Sequence, residues 1–364
     1  MFNLLHIPEG MRMFRRSIRV RIYGIRRYRG TPKQISKKIL DDCYRKTHFQ
    51  VSSGHFKTFY CRDFGWIVDS LLALGYEKKV RATLRYALQQ FRKYGRIRVA
   101  INNWGIPFDF PVYAVDSVPY LLYALAATND LQVIKGHRLF LESEIMYHYR
   151  TVIDKKTGLV RKDAHFSSMK DHSKRISSCY DACMLYMMQQ ACEKLQLVNP
   201  LKQYNYTNII TKTYWTKTYF KDDLSGATHL AGDAQVFPFW TGAITDKQML
   251  KKAIKEVQVH NLDTPLPLKY TQKGVITKTI MHKIFAPDYE SYVTWTHMGL
   301  LWTTIVGKVD KKKKKKYITA YTKLIERMHT FPEVLWPDGT PYSSLWYYCD
   351  EGMSWCANYL KLLK

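Results

Sequence analysis

Apolar residues recur at helical spacing along most of the chain. Trp66, Ile67, Ser70, Leu71 and Leu74 follow three- and four-residue steps, which predicts a helix over 63–75 with Asp63 as its N-cap. Gly75 ends that run, and a second helix is expected over 77–94, so the two form an antiparallel hairpin. Leu121, Leu122, Leu125 and Ala126 mark a helix capped by Asp116, with Pro119 in its tolerant first turn. The same pattern predicts helices from Pro32 to about Thr47, and over 131–153, 182–196, 200–219, 247–258 (capped by Thr245-Asp246), 312–329 and 350–363. Apolar segments (64–74, 117–127, 182–192, 290–305, 351–362) alternate with more polar ones (77–94, 132–152, 200–219, 247–258, 312–329). Helices buried all round, inside a ring of half-exposed helices, give that alternation. The expectation is an all-α chain: an (α/α)6 barrel over 32–364, with short β segments in its loops.

Other segments break the pattern. Residues 1–31 read as a basic N-terminal extension. The arginine-rich alternation from Ser17 to Tyr23 suggests an edge strand, a hairpin or a flexible arm. Asp154 to Gly158 reads as a turn between short strands, 226–240 as a loop or short helix, and 275–280 as having strand character. In a ring of hairpins the loops entering the inner helices converge at one mouth, so polar residues there call for a functional account.

Charge changes the picture next. Fifty-seven Lys and Arg against thirty Asp and Glu leave +27, which favours an anionic partner, although no nucleic-acid motif is found. The excess concentrates in Arg12 to Arg29, a candidate site for that partner, and in Lys311 to Lys316, expected on a solvated loop or helix start. The seven cysteines lack a metal-type Cys-x-x-Cys pair, so reduced, mostly buried thiols are expected. No apolar run reaches the roughly 18 residues a membrane span needs, and the basic N-terminus has no apolar signal core. These readings suggest a cytoplasmic protein with no obligatory metal or cofactor.

The chemistry-bearing stretch is Phe56-Lys57-Thr58-Phe59-Tyr60-Cys61-Arg62-Asp63-Phe64-Gly65-Trp66. Arginine offers fixed donors, aspartate acceptors, and aromatic rings cover the apolar face of a pyranose. The plainer reading is an ion pair with a capping aspartate. Among the aromatics Tyr60, Trp66, Trp104, Trp240, Trp295 and Trp336, the loop residues Trp104 and Trp336 are the stronger candidates for a sugar platform. Trp66 and Trp295 fit a core better. His55, His229 and His297 have no assigned role.

These features resemble the six-hairpin glycosidases, above all the glucoamylase-like enzymes of glycoside hydrolase family 15 and their neighbours. Arg62-Asp63 is similar to that family's sugar-holding Arg-Asp pair. Trp104-Gly105 and Asp116-Ser117-Val118-Pro119 resemble its Trp-Gly and Asn-Asp-Gly-Pro elements, with Val115 and Ser117 in place of Asn and Gly. Gly232-Asp233-Ala234 looks like a loop of related barrels, and Pro332-Glu333-Val334 with Pro337-Asp338-Gly339 looks like the last catalytic loop. The resemblance implies an inverting hydrolase of α-glucosidic or related bonds. Glu333 would be its base, and the acid would come from Asp163, Asp171 or Asp181, with Asp171 preferred. Arg62, Asp63, Asp116, Tyr60, Trp104 and Trp336 would bind an oligo- or polysaccharide. A binding-only barrel for carbohydrate or polyanion, and a sugar epimerase using histidines, are the competing readings.

Overall fold

The computed structural model describes residues 6–275 and 286–364. Of the stretch 275–280 expected to have strand character, residues 276–280 lie outside the described residues. The helices are α1 His6–Tyr23, α2 Pro32–Cys43, α3 Cys61–Ala73, α4 Glu77–Lys93, α5 Ser117–Thr128, α6 Leu131–Val152, α7 Cys179–Lys194, α8 Tyr206–Tyr214, α9 Gly232–Trp240, α10 Lys247–Val259, α11 Thr296–Val306, α12 Lys311–Met328 and α13 Cys356–Leu362. Short antiparallel strands sit in the loops: β1 Tyr44–Arg45 with β2 His48–Phe49, then β3 Phe59–Tyr60, β4 Ala100–Ile101 and β5 Pro107–Phe108 as one sheet, and β6 Thr294–Trp295 with β7 Val334–Leu335.

Helices α3, α5, α7, α9, α11 and α13 pack in a closed inner ring, each against the next and α13 back onto α3. Outside them lie α4, α6, α8, α10, α12 and α2. This is the (α/α)6 toroid, and two of its members lie outside the alternating inner and outer set read from the sequence. The sixth inner helix is α9, in the stretch read as a loop or short helix. The sixth outer helix is α2, which packs on α13 at the opposite end of the chain. A capping box between Thr31 and Gln34, with Pro32 in the first turn, starts α2.

The inner ring is tight. A methyl group on Gly65 of α3 would overlap the ring of Tyr120 on α5. A methyl on Gly232 would overlap the Lys269 carbonyl oxygen, so the start of α9 needs glycine for the same reason. Polar contacts stitch the two ends of the ring. Ser70 donates to Asn358 at 2.6 Å, and Asn358 donates to the Trp66 carbonyl at 3.1 Å.

The basic arm is helical. Helix α1 lies on the barrel through Met13, Arg16, Ser17 and Val20, at helical spacing. Arg16 donates to the carbonyls of Tyr348 and Cys349 and pairs with Asp350 and Glu351. The lysine run forms the first turns of α12, capped by Asp310, which accepts from the Lys313 N–H at 2.8 Å. All seven cysteines are buried and free.

Candidate active site

The loops before α3, α7, α11 and α13 meet at a cavity of about 730 Å³. Among the described residues, four carboxylic acids line it: Asp63 in the first turn of α3, Asp171 before α7, Glu290 before α11 and Glu333 before α13. Tyr60, Arg62, Trp66, Trp295 and Trp355 are part of the same wall.

Glu333 is fixed from three sides. Its Oε2 accepts from the Asp350 N–H at 2.7 Å and from the Tyr347 hydroxyl at 2.6 Å, and the Tyr289 hydroxyl donates to Oε1. Antiparallel pairing of β6 and β7, with Trp295 opposite Val334, sets the backbone beside it. The residue is 1% exposed. Burial raises its pKa to about 7 against the opposing pull of those three donors.

Arg62 holds two carboxylates at once. Its Nε and Nη2 donate to Asp116 at 2.6 and 3.3 Å, and its Nη1 and Nη2 donate to Asp171 at 3.2 and 3.0 Å. Asp171 has its pKa raised by burial, with Arg62 opposing and Glu290 adding to the rise. Asp63 accepts from the Trp355 indole N–H at 2.9 Å. Burial lifts its pKa to about 7, against Arg62 and that indole.

The loop carrying Asp171 is braced by buried charge. Lys170 lies 3.1 Å from Asp222, and Arg175 bridges Asp222 and Asp233 at 3.0 and 2.7 Å. His229 also meets Asp222, at 3.1 Å. On the cavity side, Glu290 accepts from the His172 N–H at 3.0 Å and the Ser173 hydroxyl at 2.8 Å. His297 stacks on Trp66 with ring centroids 4.1 Å apart, and burial keeps it neutral.

Several sequence readings need correction. Asp63 caps nothing: Tyr60 holds the N-cap position of α3, and the Asp63 carboxylate turns to Trp355. Asp116 makes no side-chain cap and does not line the cavity. Its oxygens accept from Arg62 and, at 2.6 Å, from the Tyr180 hydroxyl, so it supports Arg62 from behind. Trp104 is 67% exposed and Trp336 packs on Tyr342; neither lines the cavity. Trp66 and Trp295, read as core, are buried in it and line the cavity as well. Asp163 is an exposed partner of Arg161 at 2.7 Å, and Asp181 completes a capping box with Ser178. Asp233 of the Gly-Asp-Ala motif belongs to the buried ion cluster rather than the cavity. Sequence reasoning passed over Glu290. Its signal was a lone carboxylate inside an aromatic stretch, Tyr289 to Trp295, that otherwise reads as apolar.

Fold and cavity together define a six-hairpin (α/α)6 toroid with a carboxylate-lined pocket at the entry to its inner helices. Solved structures share that fold. A single-residue variant of a glycosidase, in complex with glucose, aligns over 98% of this chain and 96% of its own, at a TM-score of 0.68 and 10% identity. The GH63 mannosylglycerate hydrolase from Thermus thermophilus aligns over 91% and 99%, at 0.62 and 11% identity. A rhamnosidase from Klebsiella oxytoca with rhamnose bound aligns over 91% of this chain and 62% of its own, at 0.64 and 11% identity. No protein-family model and no curated protein matches the sequence.

Proposed function

We propose that the chain is a glycoside hydrolase that works by an acid/base carboxylate pair. Glu333 is the base and Asp171 the acid, acting on an α-glucosidic or related bond of an oligo- or polysaccharide. The carrying observation is that Glu333 and Asp171 line one aromatic cavity together with Arg62 and Asp63. The glycosidases that share the fold support the same reading.

In the inverting form of the reaction, water attacks the anomeric carbon while its proton passes to ionised Glu333. The glycosidic bond breaks, and Asp171 gives its proton to the departing oxygen. The three donors on Glu333 fix the orientation of the base without removing its basicity, because burial outweighs them. Burial and Glu290 favour the protonated form of Asp171, the form a donor needs, and the Arg62 pair opposes them. In this reading Asp63 and Arg62 hold sugar hydroxyls, and Tyr60, Trp66 and Trp295, which line the same cavity, cover the ring's apolar face. Seven buried thiols without a disulfide support a cytoplasmic location.

The test is a panel of α- and β-glycosides followed by proton NMR of the anomeric signals. Turnover with inverted configuration, lost in Glu333→Gln, is the expected outcome. Sugar binding without cleavage across the panel would favour a binding-only barrel. Interconversion of free sugars without bond cleavage would favour an epimerase.

A further inference from the structure

Helix α1 carries two apolar faces. Steps of about 100° per residue place Met13, Ser17 and Val20 on one side, against the barrel. Met11, Ile18 and Ile22 fall on the opposite side, with Phe14 at its edge. These are exposed: Met11 50%, Ile18 43% and Ile22 65%. Exposed Arg15 and Arg19 flank the stripe on one side and Arg21 on the other. Eight arginines fall between Arg12 and Arg29, and no acidic residue occurs from Gly10 to Leu40. The stripe continues onto the barrel, where Phe14 meets Trp346 at 5.4 Å between centroids and Leu345 is 75% exposed.

We propose that this face of α1, with Leu345 and Trp346, docks the protein onto an anionic membrane surface. An apolar stripe between rows of arginine is the arrangement that buries in the boundary between headgroups and acyl chains while the cations meet lipid phosphates. Charge complementarity selects this occupant. A nucleic acid would satisfy the arginines and leave Met11, Ile18 and Ile22 in water. A second copy of this chain would bring +27 against the same arginines. The helix is oriented for the task, because Arg16 and Arg21 tie it to the loop from Ser344 to Asp350.

Gly10, Met13 and Phe14 of α1 and Trp346 also wall the cavity, so the cavity reaches the helix and loop that carry the docking face. If the glycosidase reading holds, the substrate class that geometry serves is a membrane-held glycoside. Docking itself does not depend on that reading.

The experiment is sedimentation of the full chain with vesicles of phosphatidylcholine alone or mixed with phosphatidylglycerol. The variants are Ile18→Asp/Ile22→Asp and Arg15→Glu/Arg19→Glu. The wild type should pellet with the anionic vesicles and stay in solution with the neutral ones. Each variant should lose at least about tenfold in partitioning, with an unchanged melting temperature and unchanged turnover of any soluble glycoside. Failure of the wild type to pellet, equal pelleting with neutral vesicles, or full retention by both variants would overturn the proposal. So would light scattering that shows a stable dimer dissociated by Ile18→Asp/Ile22→Asp, or nucleic acid that competes the protein off the vesicles. Absence of glycoside turnover by the wild type, while pelleting follows the expected pattern, would count against the glycosidase reading alone.

Discussion

Glu333 and Asp350 are joined twice, in opposite directions. The Asp350 N–H donates to the Glu333 carboxylate at 2.7 Å, and the Glu333 N–H donates to the Asp350 carbonyl at 2.9 Å. The Asp350 carboxylate in turn accepts the N–H groups of His55 and Phe56, both at 2.9 Å. The loop before α3 and the loop before α13 are thus registered on one carboxyl group. Replacing Glu333 separates chemistry from fold only if the new side chain keeps the acceptor for Asp350, which is why glutamine is the informative choice.

Glu333→Gln should reduce hydrolysis by at least about a thousandfold while the fold persists. The pH dependence of stability supplies an independent check. Folding raises the Glu333 pKa from 4.5 to about 7. The native state therefore holds a proton that the unfolded chain has released, and this contribution is full below 4.5 and is lost as pH climbs through 7. The loss is on the order of 3 kcal/mol. At about pH 8 the Gln variant should melt at or above the wild type, with no such advantage at about pH 4.5, as measured by calorimetry.

Tyr347→Phe should move the alkaline-going rise in activity to higher pH. The hydroxyl stabilises ionised Glu333, so its removal raises the carboxyl pKa further, by about one unit. A kcat profile against pH reads the shift directly. An unmoved limb would detach Tyr347 from the base.

Asp171→Asn should discriminate between leaving groups. Turnover of a sugar or alkyl glycoside should fall about a hundredfold or more. A glycosyl fluoride, whose leaving group needs no proton, should lose far less. Equal losses on both substrates would make Asp171 a partner of Arg62 rather than a proton donor.

Gly65→Ala should destabilise the barrel by about 1–3 kcal/mol. The added methyl meets the Tyr120 ring, whose hydroxyl accepts from Trp66 at 2.7 Å. Because Trp66 lines the cavity, weaker substrate binding should accompany the lower melting temperature, and urea unfolding with KM measurements checks both.

The alternation of inner and outer helices was legible because helices buried on all sides leave an apolar signature that propensity alone does not. Helix α9 was left open between a loop and a short helix because Gly232, Asp233 and Pro238 are loop-forming residues; in the fold it is a short helix packed against Lys269 and the buried ion cluster. Helix α1 escaped for a different reason. Ile18, Val20 and Ile22 alternate with arginines as a strand would, and the structure resolves them as a helix with Val20 inward and its neighbours outward. Among the site residues, the pairing of Arg62 with an aspartate was readable, but its identity was not. The adjacent Asp63 turns to Trp355, while the partners Asp116 and Asp171 are 54 and 109 residues away. Trp104 and Trp336 were favoured because loops at the mouth carry function; the cavity is lined instead by Trp66, Trp295 and Trp355, at or near helix starts, and by a different loop tryptophan, Trp346.

The stitching of α13 to α2 and α3 sets the order in which the molecule becomes complete. During synthesis the first ring helices emerge without the segment that covers them, and Asp63 waits for Trp355 almost the whole length of the chain. Contacts of such long range form slowly. The ring therefore closes, and the pocket gains its Trp355 wall, only once the α13 segment has docked on α3.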